Sequence, residues 1–361
     1  MPEPRNKRIL FAVLNWGLGH ATRSIPLIQA LSEHNEVFIA STGRSLDLLR
    51  QEFPELPYVD FPDYGSHYSK SGYLLIPYLG LQMPIILGRL VKERRRTERL
   101  IRQHRLDMVF SDSRFGVYSP TVPSYFITHQ LRFPLPGVLR KLEFLSEWYN
   151  RYFFQRFTRI FVVDVKERPN LSRDLSHKGK ITHHEKLVYL GALSSIKPRE
   201  TTEDIDLLIS ISGPEAARTV FESTIMQQVQ SVPGKKMVVL GKPGAPNGYE
   251  KLDDLEIYPH VPRERMNELM NRAKLIVTRS GYSTVMELIA LGKKAILVPT
   301  PGQTEQEYLA EYYQQERMFH VAKQRKLDLK REIAQAQESN NHHLPRIPVN
   351  DIDKFFTHIA G

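Results

Sequence analysis

The sequence predicts an α/β fold of two doubly wound, Rossmann-like domains, and three observations carry that prediction. Short β-branched and aromatic runs alternate with helical stretches along the chain. The alternation breaks once, at the polar residues 197–203, and then restarts. A chain of 361 residues with 41% hydrophobic content exceeds one ordinary core, whereas two domains of roughly 150 residues or more each would fit.

In the first half, residues 8–14, 36–42, 108–111, 124–128, 159–163 and 187–191 read as strands. In the second half, residues 207–212, 237–241, 257–260, 275–278 and 295–298 do so. Apolar strands alternating with helices imply parallel sheets covered on both faces. The expected boundaries are a first domain at 1–196, a linker at 197–203, a second domain at 204–345 and a closing segment at 346–361. A short helix at 350–358 would pack back on the first domain, after a polar loop at 335–344 containing Asn340, Asn341, His342 and His343. Ligands of such sheets bind outside the carboxyl ends of the strands, where strand order reverses, and two such domains facing one another make a cleft.

Composition removes several classes of chemistry. There is no cysteine, hence no disulfide, no thiolate metal site and no cysteine nucleophile. The apolar runs fall far short of the roughly 18 residues of a bilayer span, and the charged start without a cleavage site reads as cytoplasmic. A net charge of +10 welcomes anionic partners without choosing among them. The densest basic run, Lys92 to Arg96 with Arg99, Arg102 and Arg105, lies in a helical stretch at 79–106 and fits a solvated face. Residues 73–90 and 139–157 mix apolar and basic residues. Either stretch fits an anionic membrane surface at the inner face of the membrane, or a core helix.

The loop after the first strand, Asn15-Trp16-Gly17-Leu18-Gly19-His20, opens a helix through Arg23. Two glycines allow a tight turn, and the helix start supplies free N–H groups and a positive dipole. It is not a dinucleotide fingerprint, because the third glycine position holds Thr22. A neutral imidazole on His20 suits a general base near pH 7, or the residue caps the turn. Asp112 ends another strand and would orient His20 or cap the next segment. Arg23, His129 and Gln130 would line the acceptor side, where a plain loop is an equal reading. In the second half, strand 275–278, the turn Arg279-Ser280-Gly281 and the helix from Ser283 would hold a diphosphate on backbone amides, Ser280 and Ser283. Arg279 would neutralise its charge. Glu287, one helical turn past Ser283, would accept hydrogen bonds from a ribose diol. The pairs Asp204/Asp206 and Asp351/Asp353 have D-x-D spacing but start a strand and cap a helix, and no metal site is expected.

Together these residues carry a family resemblance. The run from Val277 to Glu287, then Ala290, Gly292, Val298-Pro299 and Gln306-Glu307-Tyr308, resembles the carboxyl domain of family 28 glycosyltransferases, which include the lipid-II-forming N-acetylglucosaminyltransferase. Gly17, Gly19 and His20 resemble the glycine-rich loop of that family's first domain, and the stretch with Ser212-Gly213 its second glycine loop. The resemblance spans most of the chain, and is strongest at 275–310. It implies the GT-B fold and a nucleotide-sugar donor of the UDP type. His260 and Val261 would meet the base, Glu287 the ribose, Arg279, Ser280, Gly281 and Ser283 the diphosphate, and Gln306 and Glu307 the sugar. Glu307 stands where the lipid-II enzyme has a second glutamine, so the sugar need not be N-acetylglucosamine. Pro214-Glu215 replaces a Ser-Gln of the second loop.

The expected activity is an inverting, metal-independent sugar transfer without cofactor, to a hydroxyl of a glycan, a lipid-linked or a small-molecule acceptor. A sugar-nucleotide hydrolase or epimerase of the same fold is the alternative, since fold does not fix reaction. A nucleic-acid or anionic-surface binding protein is a third reading. The basic residues are scattered, however, and no nucleic-acid module is present, so no nucleic acid is expected.

Overall fold

The run RILFAV folds as β1 (Arg8–Val13) with five of its six residues buried. A strand buried on both faces demands parallel neighbours and a helix layer on each side. The structure, a computed structural model, describes residues 3–63, 75–133, 141–242, 248–338 and 343–359. The chain forms two compact units, Met1–Ser195 with Pro348–Gly361, and Ile196–Ile347.

Unit 1 continues with α1 (Gly19–Ser32), β2 (Glu36–Ser41), α2 (Gly43–Glu52), β3 (Tyr58–Asp60), α3 (Leu75–His104), β4 (Met108–Asp112) and β5 (Ser124–Thr128). It then runs through α4 (Glu143–Phe154), β6 (Arg159–Val162), α5 (Asp174–His177) and β7 (Leu187–Tyr189). The strands pair in parallel in the order β3-β2-β1-β4-β5-β6-β7. Strand order therefore reverses between β1 and β4. Leu10, Ala12, Phe38, Ile101 and Val109 fill one core cluster, and Phe126, Phe154, Phe157 and Val162 another.

Unit 2 holds β8 (Leu207–Ser210), α6 (Glu215–Met226), β9 (Lys236–Val239), β10 (Glu250–Leu252), β11 (Leu255–Tyr258), α7 (Arg263–Arg272) and β12 (Ile276–Thr278). It continues with α8 (Tyr282–Leu291), β13 (Ala295–Leu297), α9 (Thr304–Gln315), β14 (His320–Val321) and α10 (Leu329–Glu338). Its order is β10-β11-β9-β8-β12-β13-β14, parallel except for β10. Here the reversal lies between β8 and β12. Gly292, with φ +65°, ends α8 in the left-handed conformation that a residue without Cβ adopts at no steric cost.

The last helix, α11 (Ile352–Thr357), belongs to unit 1. Phe355 is fully buried against Phe110 and Phe161, with ring centroids 5.5 and 5.0 Å away, and burying such a ring is worth roughly 1.5–3 kcal/mol. Asn350 locks the return, its Oδ1 accepting from Ser194 N and its Nδ2 donating to Ser194 O, each at 2.9 Å.

The polar stretch read as a linker at 197–203 is stitched into unit 2 where it starts. Lys197 N donates to Asn267 Oδ1 and Arg199 N to Asn271 Oδ1, while Asn271 Nδ2 returns a bond to Lys197 O. Two asparagines four apart on α7 present side-chain amides to one extended backbone, so polarity here marks a docked segment. Asn340, Asn341 and His342 lie outside the described residues.

Candidate active site

In unit 1, β1 leads into the Asn15–His20 loop and β4 ends on Asp112, so both groups fall at the reversal of strand order, where doubly wound sheets bind ligands. Gly17 takes φ +80°, a left-handed turn that a residue without Cβ makes freely, just before α1 begins. Ser113, at φ +59°, turns the chain immediately after Asp112.

His20 Nδ1 lies 2.7 Å from Asp112 Oδ1. Arg23 grips the same carboxylate bidentately, with Nε 2.7 Å from Oδ2 and Nη2 on Oδ1. Ser24 Oγ adds a bond of 3.1 Å to Oδ2. Arg23 Nη2 also approaches His20 Nδ1 at 3.0 Å, but a guanidinium only donates and a carboxylate only accepts, so Nδ1 cannot serve both. We assign the proton on Nδ1 to the shorter bond, toward Asp112. That leaves the Nε2 lone pair without a hydrogen-bond partner among the described residues.

Asp112 is fully buried. Burial alone would raise its carboxyl pKa, but the charges of Arg23 and then His20, with their hydrogen bonds, outweigh it and hold the group well below the usual carboxylate range. Arg23, expected on the acceptor side, is instead 3% exposed and occupied by Asp112, Ser113 and His129, whose Nδ1 is 2.6 Å from Nη1. An arginine at i+3 from His20 on a helix shares its face, which is why it reaches the same carboxylate. His129 is buried beside it, and Gln130, half-buried, lies 3.3 Å from His129 Nε2.

In unit 2 the loops after β8 and β12 flank the second reversal and carry Ser212-Gly213 and Arg279-Ser280-Gly281. Arg279 corrects the sequence reading. It is 1% exposed, and its guanidinium donates to the carbonyls of Ser212, Ala217, Val298 and Pro299 and to Gln324 Oε1. With Phe221 stacked 4.1 Å from its Cζ, it ties this part of unit 2 together and commits all but one of its five N–H donors, the second hydrogen on Nη2. All of its partners are neutral, and burial lowers its pKa to about 10. Ser280, fully buried, is likewise committed, donating from Oγ to Gln306 O at 3.0 Å.

The other expected donor contacts are more open. Gly281 is the N-cap of α8, and Ser283 and Glu287 are half-buried on its first two turns. His260 is exposed, whereas Val261 is 5% exposed. Gln306 Oε1 accepts from Thr300 N at 2.9 Å, and the exposed Glu307 accepts from Gly302 N at 2.9 Å. Pro214 caps α6 without a side-chain bond, and Glu215 pairs with Arg218. Among residues the sequence did not single out, Ser24 and Ser113 join the Asp112 network and Gln324 holds Arg279. Only Ser24, at i+4 from His20, carried a signal for this. Asp204 is taken up by Lys235 and Arg272, Asp206 by Lys274, and Asp351 caps α11.

Residues 242–357 match the glycosyltransferase family 28 C-terminal domain. That match takes in most of unit 2 and runs on into α11. Over 206 residues the chain is 25% identical to the UDP-N-acetylglucosamine--N-acetylmuramyl-(pentapeptide) pyrophosphoryl-undecaprenol N-acetylglucosamine transferase of Helicobacter pylori. The match covers 49% of this chain and 57% of that one, and a Caldanaerobacter subterraneus enzyme of the same name is covered to 47%. The chain thus spans about half the length of these curated relatives. An uncharacterized glycosyltransferase of Methanopyrus kandleri is 22% identical over 355 residues, 93% of this chain and 95% of that one. Among solved structures, MurG of Acinetobacter baumannii superposes with a TM-score of 0.56 at 14% identity, over 94% of this chain and 92% of that one. A Streptomyces sp. SF2575 glycosyltransferase complexed with thymidine diphosphate gives 0.59 at 12%, over 98% and 100%. The fold of the chain is GT-B, with two Rossmann-like units.

Proposed function

We propose that the protein is a glycosyltransferase that moves a sugar from a nucleoside-diphosphate donor, of the UDP or TDP type, to an acceptor hydroxyl with inversion and without a metal. The observation that carries the reading is the His20–Asp112 pair at the unit 1 strand reversal, 2.7 Å apart with Nε2 left open. His20 Nε2 takes the proton of the acceptor hydroxyl, and Asp112 holds the ring and supports the imidazolium that forms. The acceptor oxygen attacks the anomeric carbon as the nucleoside diphosphate leaves, and a single in-line displacement inverts that centre. The family 28 domain supplies the donor grip: amides at the start of α8, Ser283, the Glu287 carboxylate and the Gln306–Glu307 pair. Arg279 acts on the departing charge through space, from behind the Ser212–Gly213 loop.

We further place the protein peripherally on an anionic membrane, facing a lipid-linked acceptor. Ile85, Leu87 and Val91 of α3 and Phe144, Leu145, Trp148 and Tyr152 of α4 are all exposed, with Trp148 68% exposed. Leu90 of α3 and Phe153 of α4 share one buried cluster with Leu14, so the two helices adjoin. Exposed Lys92, Arg95, Arg99 and Arg102 then continue along α3 as a basic stripe. No helix among the described residues is long and apolar enough to cross a membrane.

The test of the transfer reading is His20→Ala. Transfer to acceptor should fall by at least about a hundredfold, while UDP or TDP still raises the melting temperature as in the wild type. Unchanged transfer in that variant removes His20 as the base. Sustained release of free sugar by the wild type without acceptor favours hydrolysis.

A further inference from the structure

Thr300, just past β13, is 3% exposed, yet its Oγ1 has no hydrogen-bond partner among the described residues. Its backbone is fixed, because Thr300 N donates to Gln306 Oε1. A buried hydroxyl left without a partner costs free energy in the resting protein, and such groups recur where a ligand supplies the missing bond.

The surroundings specify what that ligand group is. Thr300 Oγ1 lies 3.7 Å from the point that a Cβ on Gly213 would occupy, and Arg279 Nε lies 3.9 Å from the same point. Gly213 has φ +114°, so the residue at this turn stays without a side chain and the space beside the hydroxyl stays open. Arg279 forms no ion pair among the described residues, and its buried charge is answered only by neutral carbonyl and amide oxygens. The carboxylates Glu215 and Glu307 have other partners, Arg218 and Gly302 N. Gln306, whose Oε1 holds Thr300 N, has its Nε2 3.9 Å from the corresponding point on Gly281, the N-cap of α8. A hydroxyl donor and a buried cation without an ion pair among the described residues therefore flank one spot, and the N-cap of the ten-residue α8 follows that cation by two residues.

We propose that Thr300 Oγ1 donates a hydrogen bond to an oxygen of the donor's diphosphate. The inference rests on the donor reading above and adds to it a binding residue that neither the motif nor the turn after β12 names. It also has a consequence that a structural threonine lacks. The bond is absent without ligand, so the hydroxyl destabilises the free protein and stabilises the complex.

Thr300→Val keeps the side chain's shape and removes the hydroxyl, while Thr300→Ser keeps the hydroxyl. Melting temperatures of the free proteins and affinities for UDP, TDP and inorganic pyrophosphate would be measured on the full chain. Thr300→Val should melt about 2–4 °C higher than the wild type when free, and should bind the diphosphates about tenfold or more weakly. Thr300→Ser should bind like the wild type. A Thr300→Val protein that melts lower when free shows that the hydroxyl serves the fold, and overturns the proposal. So does one that binds the diphosphates as tightly as the wild type, whatever its melting temperature. Wild-type protein that binds none of the three compounds fails the donor reading itself, and the proposal falls with it.

Discussion

Arg23→Met should be among the most damaging single substitutions in unit 1, even though it removes no core hydrophobe. Arg23 is 3% exposed and contributes two of the four hydrogen bonds that reach Asp112, which is itself fully buried. Methionine fills similar space but leaves the carboxylate with only His20 Nδ1 and Ser24 Oγ. Removing one partner of a buried ion pair costs about 3–5 kcal/mol, because the other charge stays desolvated. The two surviving donors put the expectation near the lower end, about 3 kcal/mol, which for a domain of this size lowers the melting temperature by about 6–12 °C. Both tryptophans of the chain, Trp16 and Trp148, lie in unit 1, so urea unfolding followed by tryptophan fluorescence reads this unit selectively. The Arg23→Met, Asp112→Asn double variant removes both charges and should lose clearly less than the two single losses added together. A single-variant loss under about 1 kcal/mol, or losses that simply add, would falsify the account of Arg23 as the counter-charge of Asp112.

The same carboxylate predicts an acid limb. The folded pKa of Asp112 is depressed below its unfolded value of about 3.9, so its stabilisation is fully present above that value and is lost as pH falls toward the folded pKa. The tryptophan-monitored urea midpoint should therefore drop below about pH 4, and Asp112→Asn should flatten that drop. An equally steep limb in the variant would assign it to other groups. On the surface of α4, the Leu145→Glu, Trp148→Glu pair should reduce sedimentation with anionic phospholipid vesicles at low salt by at least about tenfold. Its melting temperature should stay unchanged, because both side chains are more than half exposed. Sedimentation equal to the wild type would remove this face as the membrane contact.

Much of the sheet architecture was legible because parallel strands buried on both faces write themselves as continuous apolar runs. RILFAV and EVFIAS became β1 and β2 within a residue of the expected ends. The elements that escaped the reading lack that signature. The three residues of β10 are all exposed, those of β3 are half-buried or exposed, and β14 is two half-buried residues, so none of them leaves a hydrophobic period to detect. The amphipathic stretch around α4 stayed ambiguous for a related reason. Aromatic residues occur on both its faces, and only the packing of Phe153 and Phe154 shows which of them the core takes.

The two halves of the candidate site were legible to different degrees, and the difference is physical. His20 and Asp112 could be paired from sequence because each follows a strand that flanks the reversal in unit 1, where topology alone brings them to one sheet edge. Arg279 occupies the equivalent place in unit 2, and the same logic gave it to the diphosphate. What the logic could not supply is the set of acceptors that claim it: Ser212 and Ala217 after β8, Val298 and Pro299 after β13, and Gln324 beyond β14. They come from three separate stretches of chain, and four of the five are backbone carbonyls, which have no residue-type signature. A cation whose donors are mostly claimed by carbonyls keeps its full charge while giving up most of its contacts, so its effect on an anion outlasts its capacity to hold one. Direct contact then falls chiefly to a neighbour that has a donor to spare and no fold-related use for it. Thr300 meets both conditions, and the stability of its hydroxyl-free variant decides whether that division of labour between charge and contact is real.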